Sequence, residues 1–378
     1  MKYLQLSSVF SITLLLFLSS CETPEKVMKS SDTDYKYQKA VFWYNKKEYV
    51  KCIPIMEELI GLYKGTKNTE NLYYMYCDAN FKQGDYMISA YHFKNFYDIY
   101  PTAEKAEDCL FMAGRSYEKL SPKPDLDQTY TLKALDGYQF FLNIFPSSSR
   151  VNEANEAISR LRKRLEKKAM NNADLYYRTQ NYRAAATSYD NLLRDYPDID
   201  NTEKIGFMIV KSYYMFAQNS TTEKKRDRYR HTIDAFNQFK YKFPESKYMA
   251  EAQKYEHESH YYAAKAAFDW AQSGPLLERE KLFSTAFNEV KSQLPFITEE
   301  KRLEELNSYA EKGHFLIVKT YFQLSEEKKE KQKLSALEQT VKTYYTFVDK
   351  FPQSKFIKEA EKIFNITTEQ IKKFKSNG

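Results

Sequence analysis

The sequence predicts an all-α fold, an α-solenoid of helix-turn-helix repeats, on three observations. Only 9 glycines and 11 prolines occur in 378 residues, and β-branched runs are few, a composition that disfavours a sheet. Apolar residues recur at helical spacing: after Gly84-Asp85, the residues Tyr86, Ala90, Phe93, Tyr97 and Tyr100 follow at steps of four, three, four and three, one face of an amphipathic helix. Aromatic-Pro pairs end at Pro101, Pro146, Pro197, Pro244 and Pro352. A proline cannot continue a helix and pushes the preceding residue out of α geometry, so each pair stops a helix.

The N-terminus comes first in the chain. Lys2 precedes an apolar core, Val9 to Leu18, that ends in Leu18-Ser19-Ser20-Cys21. Ten residues are too few to cross a bilayer, so residues 1–20 read as a cleaved signal peptide. A leucine, two small residues and a cysteine resemble a bacterial lipobox, which implies that Cys21 is acylated and tied to membrane lipid; the alternative is ordinary secretion with an unmodified cysteine. Residues 21–34 read as a polar tether. The remaining Cys52, Cys77 and Cys109 are an odd number without metal-ligand spacing, and Cys52 and Cys77 fall where small side chains let helices approach. Fifty-eight basic and fifty-one acidic residues, finely mixed, give +7. That pattern describes solvated helix faces rather than a nucleic-acid footprint.

The repeats follow. The aromatic-Pro pairs lie 45, 51, 47 and 108 residues apart. The last interval is an internal duplication: "EKIGFMIVKSYY" and "KFPESKYMAEAQK" return as "EKGHFLIVKTYF" and "KFPQSKFIKEAEK". Ala40, Trp43, Tyr49, Met56 and Leu59 in a first repeat, Tyr73, Tyr76, Cys77, Tyr86, Phe93 and Phe96 in a second, and Ala173, Tyr176, Tyr182, Ala185, Tyr189 and Leu192 in a later one resemble tetratricopeptide (TPR) helix pairs. Inserts at 121–133, 219–231 and 325–335 are expected as loops on one edge. Residues 35–255 are thus expected to hold about five repeats, and residues 256–378 a helical extension with at least one more.

A lipidation cysteine, a tether and such repeats together resemble the BamD family, TPR lipoproteins of the bacterial outer-membrane β-barrel assembly (Bam) complex. The resemblance runs from Cys21 to about residue 255. It is most specific at Leu161, Arg164, Leu165, Ala173, Tyr176, Tyr177 and the run Arg194-Asp195-Tyr196-Pro197-Asp198. Where some members carry a basic residue that docks the periplasmic domains of the barrel protein BamA, this chain has Ser188. The resemblance implies a lipid-anchored protein of the outer membrane that faces the periplasm. Its implied partners are a BamA-like barrel protein, other assembly subunits and unfolded outer-membrane proteins.

Chemistry is sparse. His257 and His260 stand at i, i+3 without a third ligand, which reads as a solvated or capping pair rather than a metal site. No phosphate loop or nucleophile motif appears, so neither a cofactor nor an enzyme is expected. The basic run 160–168 spreads around Leu161 and Leu165, without interleaved aromatics for nucleic acid. A recurring aromatic slot remains, five residues before the turn tyrosine: Tyr44, Phe81 and Tyr177, with Tyr117, Tyr213 and Tyr321 in equivalent places and Tyr37 and Tyr74 one turn away. One reading is intramolecular packing. The other is a ladder for an extended, aromatic-rich client peptide. Two rivals stand beside the assembly scaffold: a TPR-type nutrient-capture lipoprotein of the SusD kind, which normally carries larger insertions, and a peptidoglycan lyase, which needs a catalytic glutamate in a lysozyme-like module.

Overall fold

A computed structural model describes residues 23–63 and 67–376, with the side chains of 67, 68, 330 and 331 left aside. The signal peptide and Cys21 lie outside the described residues. All regular structure among the described residues is helical, in two units that meet at Lys168 and Ala169. The first holds α1 (Pro24–Met28), α2 (Thr33–Asn45), α3 (Tyr49–Leu62), α4 (Lys67–Gln83), α5 (Tyr86–Ile99), α6 (Ala106–Leu120), α7 (Thr129–Ile144) and the start of α8 (Val151–Arg178). The second holds the rest of α8, then α9 (Tyr182–Asp195), α10 (Thr202–Gln218), α11 (Thr222–Lys242), α12 (Met249–Ser273), α13 (Arg279–Gln293), α14 (Glu300–Glu327), α15 (Glu330–Lys350) and α16 (Ile357–Ser376).

All five aromatic-Pro pairs end a helix in one backbone geometry. Tyr100, Phe145, Tyr196, Phe243 and Phe351 have φ between −121° and −135° and ψ between 60° and 71°. Each still donates its N–H to the carbonyl four residues back. Its own carbonyl then accepts from the amide three residues on, at 3.0–3.1 Å. The proline occupies the second position of this turn, where no N–H is needed. After Pro146, Pro244 and Pro352, a serine hydroxyl adds a bond from the amide of Arg150, Tyr248 or Phe356 at 3.0, 3.0 and 3.1 Å. The next helix therefore starts in a fixed direction.

Between these stops the apolar faces pack as their spacing requires. Phe93 and Phe96 of α5 are fully buried with Trp43, Ile55, Met56 and Leu59 in the first unit. Phe111, Tyr138, Phe141 and Leu161 form a second cluster there. In the second unit the 108-residue duplication is visible in three dimensions. Phe207 stacks on Tyr248 at 4.9 Å and 12°, and Phe315 stacks on Phe356 at 4.8 Å and 6°. Lys211–Glu251 and Lys319–Glu359 are matching ion pairs at 3.3 and 2.9 Å.

Local departures from expectation have physical causes. Part of the stretch expected as tether, Pro24–Met28, is helical because Pro24 presets the first turn and Val27 is completely buried against the first repeat. The inserts at 219–231 and 325–335 are largely helix rather than loop. Lys, Glu and Arg favour helix, and Tyr229 within the first of these is buried against Tyr214 and Tyr262. Only 121–128 remains a loop, and α7 begins at Thr129. Gln128 Nε2 donates to the carbonyls of Lys123 and Leu126 at 2.8 and 3.0 Å. Arg164 and Lys168 of the basic run donate to Ser121 O and Leu126 O at 3.0 and 2.7 Å. Leu161 is buried as its spacing suggests, while two of the surrounding charges, Arg164 and Lys168, hold this loop instead of facing water alone.

Truncating Phe207 or Phe315 to alanine should remove a buried ring from equivalent places and cost about 3–5 kcal/mol each. Denaturant unfolding followed by circular dichroism measures it; a cost below about 1 kcal/mol at either site contradicts the packing described.

A candidate peptide-binding face

The recurring aromatic slot is built by a recurring turn. Lys47, Gly84 and Gln180 have φ of 60°, 96° and 62°. Beside them Glu48, Asp85 and Asn181 donate their amides to carbonyls five residues back, each at 2.9 Å. This is a Schellman-type helix ending, in which a left-handed residue turns the chain. It brings the slot ring of the first helix against the tyrosine that opens the second. Tyr44–Tyr49, Phe81–Tyr86 and Tyr177–Tyr182 meet edge to face at 6.0, 5.3 and 5.3 Å with interplanar angles of 67–68°. Such geometry sets the positive edge of one ring against the negative face of another.

The other slot aromatics vary. Tyr117 stacks on Tyr130 at 6.3 Å, Tyr213 packs on His231 at 5.8 Å, and the Tyr321 hydroxyl bonds to Glu280. Tyr37 meets Tyr63 at 6.2 Å and Tyr74 meets Phe93 at 6.3 Å. All eight rings are half-buried. Packing within a repeat accounts for their recurrence, and the exposed part of each ring remains a surface. Lysines flank three of them in the first unit: Lys82, Lys105 and Lys133 lie 5.4, 5.8 and 5.6 Å from the ring centres of Tyr44, Tyr74 and Tyr117. Lys82 and Lys105 are themselves paired with Asp78 and Glu104 at 2.6 and 3.3 Å, so the chemistry presented is chiefly aromatic, able to stack on rings.

Hydroxyl groups tie successive first helices together. Tyr44 donates to Asp78, and Tyr74 donates to Asp108 at 2.6 Å. Burial, followed by the bond to a carboxylate, pushes both phenols well above their ordinary range. The motif returns in the second unit as Tyr214–Glu258 and as Tyr261–Glu305 at 2.7 Å. The signal was in the sequence: an acid stands 34 residues after Tyr44 and after Tyr74, and 44 after Tyr214 and after Tyr261. Glu305 also accepts from Tyr309 at 2.6 Å and Lys265 at 2.9 Å. Desolvation raises its carboxyl, but these three donors outweigh it and hold the group at about 2.

The remaining candidates divide. Cys52, Cys77 and Cys109 are free and buried; burial pushes the Cys52 thiol up to about 12 and the other two upward as well, which suppresses the reactive thiolate. The two histidines are not a solvated pair. His260 is buried, with Nε2 2.9 Å from Glu256, Nδ1 against Gln293 and its ring stacked on Phe296 at 4.2 Å. His257 is half-exposed and 3.4 Å from Glu256, because residues three apart on α12 straddle the edge of its contact with α13. Among the described residues no three His, Cys, Asp or Glu side chains gather as metal ligands do. None of the described helices is long and apolar enough to cross a membrane.

The chain is similar to several known proteins. A family model described as "YfiO: Outer membrane lipoprotein" matches residues 29–228. The putative outer membrane protein assembly factor BamD of Aquifex aeolicus is 22% identical over 214 residues, covering 56% of this chain and 70% of that protein. The outer membrane protein assembly factor BamD of Vibrio cholerae is 21% identical over 236 residues, covering 60% of this chain and 97% of that protein. A solved tetratricopeptide repeat protein from Parabacteroides merdae aligns over 89% of this chain and 98% of its own, at 12% identity and a TM-score of 0.25.

Glu305 gives a pH test of the tyrosine–carboxylate ties. Its carboxyl falls from 4.5 in the unfolded reference to about 2 in the fold, so its contribution is complete above 4.5 and is lost as pH falls through 2. Solvent screening of this partly exposed group limits that contribution to about 1 kcal/mol. Glu305→Gln should lower the melting temperature at pH 7, with a gap that closes as pH falls from 4.5 toward 2. A gap independent of pH contradicts the ties.

Proposed function

The chain belongs to the YfiO family of outer-membrane lipoproteins, and from that membership we propose that it serves outer-membrane protein assembly as a BamD-like, lipid-anchored, non-catalytic scaffold. The family match over residues 29–228 carries this reading, and the assembly-factor relatives from Aquifex aeolicus and Vibrio cholerae support it. Acylation of Cys21 would supply membrane attachment and nothing more. The helix pairs supply a binding surface that needs no chemistry.

In this reading unfolded outer-membrane proteins lie as extended segments on the half-buried aromatics of the first unit, above all Phe81 and Tyr117, with Tyr37, Tyr44 and Tyr74 beside them. Tyr177 offers a comparable ring in the second unit. Phe81 has no hydroxyl, and Tyr117 makes no hydroxyl hydrogen bond to a described residue. Lys133, 5.6 Å from the Tyr117 ring centre, adds positive charge for a client carboxylate. In the same reading the C-terminal repeats bind the periplasmic domains of the barrel subunit BamA.

The double variant Phe81→Ala, Tyr117→Ala leaves the Tyr–Asp ties intact. It should weaken binding of an unfolded outer-membrane protein segment about tenfold or more, since exposed aromatic anchors carry a large share of such contacts. Helicity by circular dichroism should be unchanged. Unchanged affinity sinks the client-face assignment.

A further inference from the structure

The first repeat has no repeat before it, and its outer end is unlike a polar cap. α2 uses two of its sides inside the protein. Lys36, Ala40 and Trp43 are buried, with Lys36 paired to Glu58 of α3 at 2.7 Å, and Tyr44 bonds across to Asp78 of α4. Phe42, two residues from Tyr44, lies about 160° round the helix from it, on the side turned away from the second repeat. Its ring is 46% exposed. Tyr35, Lys39 and Lys46 share this stripe: Lys39 Nζ is 5.7 Å from the ring centres of Tyr35 and Phe42, and Lys46 Nζ is 4.5 Å from that of Phe42. Solenoids normally close with a capping repeat whose outer face is polar. Here the chain before α2 is the five-residue α1, which packs on α2 and α3.

α1 also limits how far a lipid on Cys21 can stand from the protein. Val27 is completely buried in one cluster with Ala40, Trp43 and Cys52. The carbonyl of Thr23 accepts from the amides of Lys26 and Val27 at 3.0 and 3.3 Å. The folded body therefore reaches back to Thr23, and Cys21 stands three residues before Pro24. A fully extended chain spans at most about 3.6 Å per residue, so the Cα atoms of Cys21 and Pro24 are within about 11 Å of each other. That is about the width of one helix. Around this point Lys26 and Lys29, like Lys46 of α2, are exposed and make no ion pair among the described residues. Of the nearby acids, Asp32 accepts from the amides of Asp34 and Tyr35, both at 3.0 Å, and Asp34 accepts from the Tyr63 hydroxyl at 3.2 Å. Glu25 stands between Pro24 and Lys26, with Lys29 one turn on.

We propose that this end of the first repeat rests directly on the lipid surface that holds Cys21, with Phe42 in the headgroup layer and Lys26, Lys29 and Lys46 on acidic lipid phosphates. The proposal rests on the acylation of Cys21 in the reading above. Aromatic rings and lysines together are the side chains that settle at a bilayer interface, the ring at headgroup level and the ammonium turned to water and phosphate. So short a link makes the contact intramolecular, and a surface too weak to recruit the chain from solution is then strong enough to hold its orientation. Tyr44 points away from Phe42, so docking leaves the aromatic slot of the first repeat open to a client.

The test puts a fluorescent probe on the acylated full chain in vesicles of phosphatidylethanolamine and phosphatidylglycerol. The probe is attached at Gln38→Cys, one turn from Phe42 on α2, or at Glu156→Cys on α8 as a control; the native Cys52, Cys77 and Cys109 are buried and stay unlabelled. A lipid with a nitroxide on its headgroup should quench the probe at 38 about threefold more than the probe at 156, because only the first lies within the headgroup layer. Phe42→Ser combined with Lys46→Ser should abolish the difference while the chain still floats with the vesicles and keeps its melting temperature. Equal quenching at the two positions overturns the docking, and so does a difference that survives the double substitution. The comparison of the two probes stands without that variant. Mass spectrometry of the Cys21 peptide separates the two readings: an unacylated Cys21 overturns the anchoring and the docking with it, whereas an acylated chain with an unquenched probe at 38 overturns the docking alone. In native outer membranes a benzophenone at position 38 should crosslink to lipid, and capture of a protein in its place overturns the proposal.

Discussion

The constraint on which the rest depends is the helix stop made by an aromatic residue and a proline. Five such stops share one pair of backbone angles within about ten degrees. Each ends a second helix, turns the chain through a fixed hydrogen-bonded corner and releases the next first helix. A solenoid repeat contacts only its neighbours, so an error in direction at one corner would displace everything after it. Proline removes that freedom locally. Within each unit, tyrosine–carboxylate ties then join one first helix to the next at four places: Tyr44–Asp78, Tyr74–Asp108, Tyr214–Glu258 and Tyr261–Glu305.

These two devices differ in how plainly the sequence shows them. The stops are legible because proline has the same steric consequence wherever it falls in a helix. The 108-residue duplication is equally plain, and Phe207–Tyr248 and Phe315–Phe356 repeat it as matched stacks. Charged inserts are harder: Lys, Glu and Arg suit both a solvated loop and a helix surface. Tyr229 alone marked the segment at 219–231 as having something to bury. Val27 did the same for α1. The loop at 121–128 needed distant partners, Arg164 and Lys168, that no local pattern identifies.

The candidate site was legible as a recurrence and not as a geometry. The spacing singled out Tyr44, Phe81 and Tyr177 because a Schellman-type turn places them against Tyr49, Tyr86 and Tyr182. Structure and surface are thus two uses of the same rings. Phe81, with no hydroxyl to tie, is the clearest case: one side of its ring belongs to the repeat and the other is available.

Membership of an outer-membrane lipoprotein family and a fold of helix pairs fit a scaffold. The most direct measurement is affinity capture of the acylated full chain from native outer membranes after mild crosslinking, with its partners identified by mass spectrometry. The expected result is recovery of a BamA-like barrel protein together with outer-membrane protein precursors. Recovery of a TonB-dependent transporter in their place contradicts the account.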